Sequence, residues 1–152
     1  MGKKFILMAD DDMDDTEMFC EALVAINADV ICHCAEDGQE AINILNELEE
    51  LPEIIFLDIN MPIMNGWECL RFLKNEKRYQ DIPVIMISTS SHQDDMNKAM
   101  NMGAECYFVK PNSFSDLKDV LFSFVSNLGN TKDAILNLQQ GKSKHIFTCA
   151  DL

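Results

Sequence analysis

The sequence predicts an α/β fold, a five-stranded parallel sheet with helices on both faces, and three observations carry that prediction. Short apolar runs without alternation, such as Ile54-Ile55-Phe56-Leu57 and Val84-Ile85-Met86-Ile87, have strand length and suit strands buried on both faces. Between them lie stretches with apolar residues at helical spacing, and alternation of the two types implies a helix-covered parallel sheet. The strand runs also end in polar residues: Asp10-Asp11, Asp58, Ser88 and Lys110.

The first run, Lys4 to Ala9, stops at Asp10-Asp11-Asp12. Asp14 and Asp15 then charge the start of a helix whose inward stripe is Met18, Phe19, Ala22, Leu23 and Ile26. Val30 to Ala35 reads as the second strand. Gly38 opens the next helix, with Ala41, Ile42, Leu45 and Leu48 inward and a stop near Pro52. The Asp58 strand leads into a loop of turn formers (Asn60, Pro62, Asn65) and a helix over Gly66–Asn75. Pro83 introduces the fourth strand, which ends in Ser88-Thr89-Ser90-Ser91. A polar helix from about 93 to 102 stops at Gly103, a natural C-cap. Cys106–Val109 is a short strand ending in Lys110-Pro111, and a last helix runs from about 113 to Gly129. Residues 130–152 fall outside the alternation: a weakly helical stretch over 132–140, a break at Gly141, and a strand-like Ile146-Phe147-Thr148-Cys149.

At 152 residues the chain suits one domain with a sizeable core. With 26 acidic against 12 basic residues the net charge is -14. That balance argues against nucleic acid and against anionic membranes as partners. The start of the chain has too few apolar residues for a signal peptide, and no run has the length of a membrane span. The 6 cysteines form no C-x-x-C pair. On a strand, Cys32 and Cys34 share one face while His33 points the other way. The cysteines read as reduced, mostly buried thiols of a cytoplasmic protein.

In a parallel sheet wound this way the strands end on one edge, so Asp10, Asp11, Asp58, Ser88 and Lys110 converge there. Clustered carboxylates repel one another unless a cation joins them, and a small set of hard oxygen donors suits Mg2+. The Lys110 ammonium and Ser88 hydroxyl can bind phosphate oxygens, and the Asp58 carboxylate can attack phosphorus as a nucleophile.

Met8-Ala9-Asp10-Asp11, Leu57-Asp58-Ile59-Asn60-Met61-Pro62 with Gly66, Ile87-Ser88 and Tyr107-Phe108-Val109-Lys110-Pro111 together resemble the receiver domain of two-component response regulators. The resemblance covers residues 3–128 and leaves 129–152 as a tail without an output domain; it resembles small stand-alone receivers. It implies a flavodoxin-like strand order, 2-1-3-4-5. It implies that Asp58 accepts phosphate, and that Asp11, Asp58 and the Asn60 carbonyl bind Mg2+ (or Mn2+) directly, with Asp10 acting through water. Ser88 becomes the switch hydroxyl, Lys110 the phosphate-binding lysine, and Tyr107 the switch aromatic that turns from an exposed to an inward rotamer. A cis Lys110–Pro111 bond is also implied. The implied partners are a histidine kinase or phosphotransfer protein upstream, and a protein target or a second copy downstream. By this resemblance the protein is a signalling switch rather than an enzyme acting on other substrates.

Rival readings are weaker. Asp10, Asp12, Asp14 and Glu21 match four positions of a calcium loop, but Asp15 stands where its glycine should be. Hydrolases of the haloacid dehalogenase type resemble D-x-D, where this chain has Asn60 in place of the second acid, and an amide has no titratable proton to give. An incidental acidic end on a binding module would need four strand-end residues to coincide by chance.

Overall fold

The computed structural model describes residues 4–140 and 147–149, with 139, 140 and 147–149 described by backbone alone. Gly141 and Ile146 of the sequence-based reading lie outside the described residues. The elements alternate as expected: β1 (Lys4–Ala9), α1 (Met13–Ala25), β2 (Val30–Ala35), α2 (Gly38–Glu47), β3 (Ile54–Asp58), α3 (Gly66–Asn75), β4 (Val84–Ser88), α4 (Gln93–Asn101), β5 (Cys106–Val109) and α5 (Phe114–Ser126). Two further elements follow, α6 (Thr131–Gln140) and β6 (Phe147–Cys149).

The sheet order is β2-β1-β3-β4-β5-β6. The first five strands are parallel, in the expected order. The sixth is an addition: β6 runs antiparallel along β5, with Thr148 opposite Tyr107. Every residue of β3 is buried, as its unbroken apolar run requires. Alternate side chains of the strands feed two cores. Leu7, Leu57 and Met86 face α2, α3 and α4. Ile6, Met8, Phe56 and Phe108 face α1, α5 and α6. In the second core Phe56 meets Phe19 and Phe124 edge-on, with ring centroids 5.2 and 5.9 Å apart. Helix α6 belongs to this core, since Ala134, Ile135 and Leu138 are buried against it.

Two expectations are corrected here. No cis peptide bond occurs among the described residues, so Lys110–Pro111 is trans. The tertiary amide prefers trans by only about 0.5–1 kcal/mol, and across the trans bond the Lys110 ammonium already reaches the carboxylates of the strand-end cleft. The cysteines are not all thiols either. Cys20, Cys32, Cys34 and Cys69 are free, but Cys106 is disulfide-bonded. The antiparallel register of β6, which places Cys149 opposite Cys106, is a pairing that spacing along the chain does not display. No helix among the described residues is long and apolar enough to cross a membrane.

Candidate functional site

The cleft is built at the carboxyl ends of β1, β3, β4 and β5. The Asp10 backbone N–H donates to the Ala35 carbonyl (3.0 Å), extending the β1–β2 ladder one residue past the strand. Its Oδ1 accepts from the Asp12 N–H (2.9 Å), and Asp12 in turn caps α1 by accepting from the N–H groups of Asp14 and Asp15. Helix α1 therefore starts immediately after the acidic cluster. That start removes the calcium-loop reading, because Asp14 and Glu21 lie in helix and not in a loop. After β3 the chain must turn sharply, and Gly66 permits it: a Cβ there would stand 2.2 Å from the Asp58 carbonyl oxygen. The same loop holds Ile63 at φ 68, an uncommon backbone for a β-branched residue.

Carboxylate oxygens of Asp10, Asp11 and Asp58 all lie within 4.8 Å of one another, with Asp10 and Asp58 buried and Asp11 exposed. The Asp58 Oδ1 accepts from the Ile59 N–H (2.9 Å). Lys110 Nζ donates to Asp10 (2.9 Å) and stands 3.6 Å from Asp58. Its third carboxylate is Asp15, at 2.7 Å. Burial, and next the Asp10 charge, push the Asp58 carboxyl up from 3.8 to about 7, against the pull of Lys110. Burial pulls the Lys110 ammonium down, but the hydrogen bonds to Asp15 and Asp10 and the Asp58 charge outweigh it and raise its pKa.

This arrangement fits a small hard cation. Three carboxylates offer oxygen donors at one point, and the single Lys110 ammonium faces all three of their charges. Asn60 is exposed in the loop two residues beyond Asp58.

Ser88 is buried at the end of β4, and its Oγ accepts from the Ser90 N–H (3.1 Å). Tyr107 departs from expectation: its ring is already inward and fully buried, and its hydroxyl donates to the Ser90 carbonyl (2.7 Å). That bond and the packing of the ring into the core under α4 hold it there. Ser90 Oγ donates to Asp95 of α4 at 2.6 Å. Ser90 thus joins Ser88, Tyr107 and α4, a role that sequence reasoning missed. The only signal was the Ser88-Thr89-Ser90-Ser91 run, which does not say which hydroxyl is the hub. Asp15 was also missed as a partner of Lys110, because its position reads equally well as first-turn helix charge.

A parallel sheet carrying three acids and a lysine at one edge defines a class of α/β proteins with a charged cleft at the carboxyl ends of their strands. The sequence model of the response regulator receiver domain matches residues 6–122, so the chain belongs to that family. Its members are phosphoryl-accepting receivers of two-component systems that bind divalent metal. Among curated relatives, a chemotaxis protein CheY homolog of Campylobacter jejuni is 32% identical over 116 residues, covering 76% of this chain and 88% of its own. The response regulator Rcp1 of Synechocystis is 29% identical, covering 75% and 81%. Among solved structures, the phosphorylated cyanobacterial phytochrome response regulator RcpA superposes with a TM-score of 0.74 at 27% identity, over 82% of this chain and 95% of that one. The Mn2+-bound form of Rcp1 gives 0.72 at 27% identity, over 81% and 92%.

Proposed function

We propose that the chain is a receiver switch, residues 3–128 with the tail 129–152, that takes a phosphoryl group onto Asp58 from a histidine kinase or phosphotransfer protein. The observation that carries this reading is the meeting of Asp58 with Asp10, Asp11 and Lys110 at one strand edge. An Asp58 oxygen attacks phosphorus in line, the bond from phosphorus to the donor nitrogen breaks, and that nitrogen keeps the electron pair. Lys110 Nζ, held at the cleft by Asp10 and Asp15, turns to a phosphoryl oxygen. The Ser88 hydroxyl donates to another. Asp11, Asp58 and the Asn60 carbonyl would hold Mg2+ or Mn2+ directly and Asp10 would hold it through water; the ion supplies positive charge for the transferring oxygens. Asp11 and Asp58 would be its direct side-chain ligands, with Asp10 reaching it through water, and Asp58, Ser88 and Lys110 would touch the reacting group. The protein catalyses only its own phosphorylation and dephosphorylation.

The readout runs through Ser90. When Ser88 Oγ turns toward a phosphoryl oxygen, it releases the Ser90 N–H, and Ser90 also holds Tyr107 and Asp95. The aromatic ring starts inward, so the movement belongs to the loop before α4 and not to a rotamer flip. The face formed by α4, β5 and α5, with β6 alongside, then meets a downstream protein or a second copy. Intact-mass analysis after treatment with acetyl phosphate tests the transfer. One phosphoryl group is expected on the wild type with Mg2+, and none with a chelator or on Asp58→Asn. Equal labelling of wild type and Asp58→Asn would contradict the assignment.

A further inference from the structure

Away from the carboxylate cleft, three thiols meet between α1 and β2. Cys34 Sγ lies 3.8 Å from Cys20 Sγ and 3.9 Å from Cys32 Sγ. The three sulfurs all lie within 4.8 Å of one another, and each residue is half-buried. Strand pleating explains the pair, since residues 32 and 34 share the face of β2 that looks toward α1. The register confirms the face: Cys32 and Cys34 stand beside Ile6 and Met8, which pack against Phe19, Ala22 and Leu23 of α1. His33 points to the opposite face, where it stacks on Phe5.

We propose that Cys20, Cys32 and Cys34 form a three-thiolate site for a thiophilic cation, with Cu+ the best match. A metal–sulfur bond of about 2.3 Å places three sulfurs roughly 3.8 to 4.0 Å apart around the ion, which is the spacing Cys34 already has to each of the other two. Thiolates select Cu+ and Zn2+ over hard cations. No imidazole joins the cluster among the described residues, and three sulfurs complete a trigonal Cu+ site while Zn2+ in a structural site takes four ligands. Binding releases the thiol protons to solvent as the metal–sulfur bonds form, with no change of oxidation state. A disulfide is the poorer use of the pair on β2: alternate strand residues sit about 6.6 Å apart with parallel Cβ directions, whereas a disulfide needs Cβ atoms about 3.8 Å apart. Solvent reaches Cys34 through a cleft of about 170 Å³ shared with Glu17, Glu36 and Glu40, whose charges attract a cation.

Titration of the metal-free chain, its free cysteines reduced and the Cys106 disulfide kept, with chelator-buffered Cu+ tests the site. One equivalent is expected, retained against excess Mg2+. Cys20→Ser, Cys32→Ser and Cys34→Ser should each weaken binding by about 100-fold or more, while Asp11→Asn leaves it unchanged. As a measurement that needs no variant, bound Cu+ should protect residues 20, 32 and 34 of the wild type from alkylation, read by peptide mass. Displacement by Mg2+, binding that persists undiminished in the serine variants, absence of protection, or failure of this chain to take up Cu+ would overturn the proposal.

Discussion

Asp58 is the residue where the proposed function and stability oppose each other most directly. Its carboxyl is buried beside Asp10, and its pKa stands at about 7 in the folded chain against an ordinary 3.8. A raised folded-state pKa means that folding favours the neutral acid. Above pH 7 the charged form therefore costs stability, the cost shrinks as pH falls through 7, and it is absent below 3.8. In metal-free buffer, Asp58→Asn should raise Tm by a few degrees at pH 8. The gain should shrink as pH falls through 7 and be gone below 3.8, where the acid is protonated in both states; a gain independent of pH would contradict the account. Some of this residue chemistry was legible in the sequence, because Asp10, Asp11, Asp58 and Lys110 each end an apolar run. Asp15 was not, since its partner Lys110 lies 95 positions away and only the folded sheet brings them together. Nor was the inward Tyr107, whose rotamer depends on a carbonyl of the β4–α4 loop.

At the scale of elements, the strands announced themselves more clearly than the chain's end. β3 and β4 are continuous apolar runs, and that pattern belongs to central strands of a parallel sheet. Helices α2 and α3 carry their boundaries in sequence, with Asp37 and Asn65 as side-chain caps and Glu68 completing a capping box. Helix α6 was readable only as a weak amphipathic stretch, because its value lies in what it covers. Ala134 and Ile135 are fully buried in the core beneath α5, and the Ser123 hydroxyl donates to the Ala134 carbonyl (2.8 Å). If that packing is part of the cooperative unit, Ile135→Ala should lower the unfolding free energy by about 2–4 kcal/mol. Urea denaturation measures it, and a change under about 0.5 kcal/mol would mean the helix contributes no more than a surface site. The pairing of β6 with β5 and the disulfide at Cys106 were beyond sequence reasoning for a related reason. An edge strand accepts any extended segment, and nothing local in Phe147–Cys149 names the edge it joins.

For the whole molecule the charge of -14 is the governing quantity. Like charges repel throughout the fold and most strongly at the strand-end cleft, where Asp10, Asp11 and Asp58 meet. A cation bound only by the assembled cleft stabilises the folded chain by mass action. Millimolar Mg2+ should therefore raise Tm, and Asp11→Asn should lose most of that rise while keeping the general effect of added salt. An undiminished shift in Asp11→Asn would place the ion elsewhere. The central claim concerns one covalent bond, the acyl phosphate on Asp58. Borohydride reduces an aspartyl phosphate to homoserine and leaves free carboxylates intact, so the site can be read by peptide mass after treatment with acetyl phosphate and Mg2+. The account predicts homoserine at position 58 and unchanged residues at 10 and 11. Homoserine at position 10 or 11, or at none of the three in a protein whose mass shows phosphorylation, would contradict it.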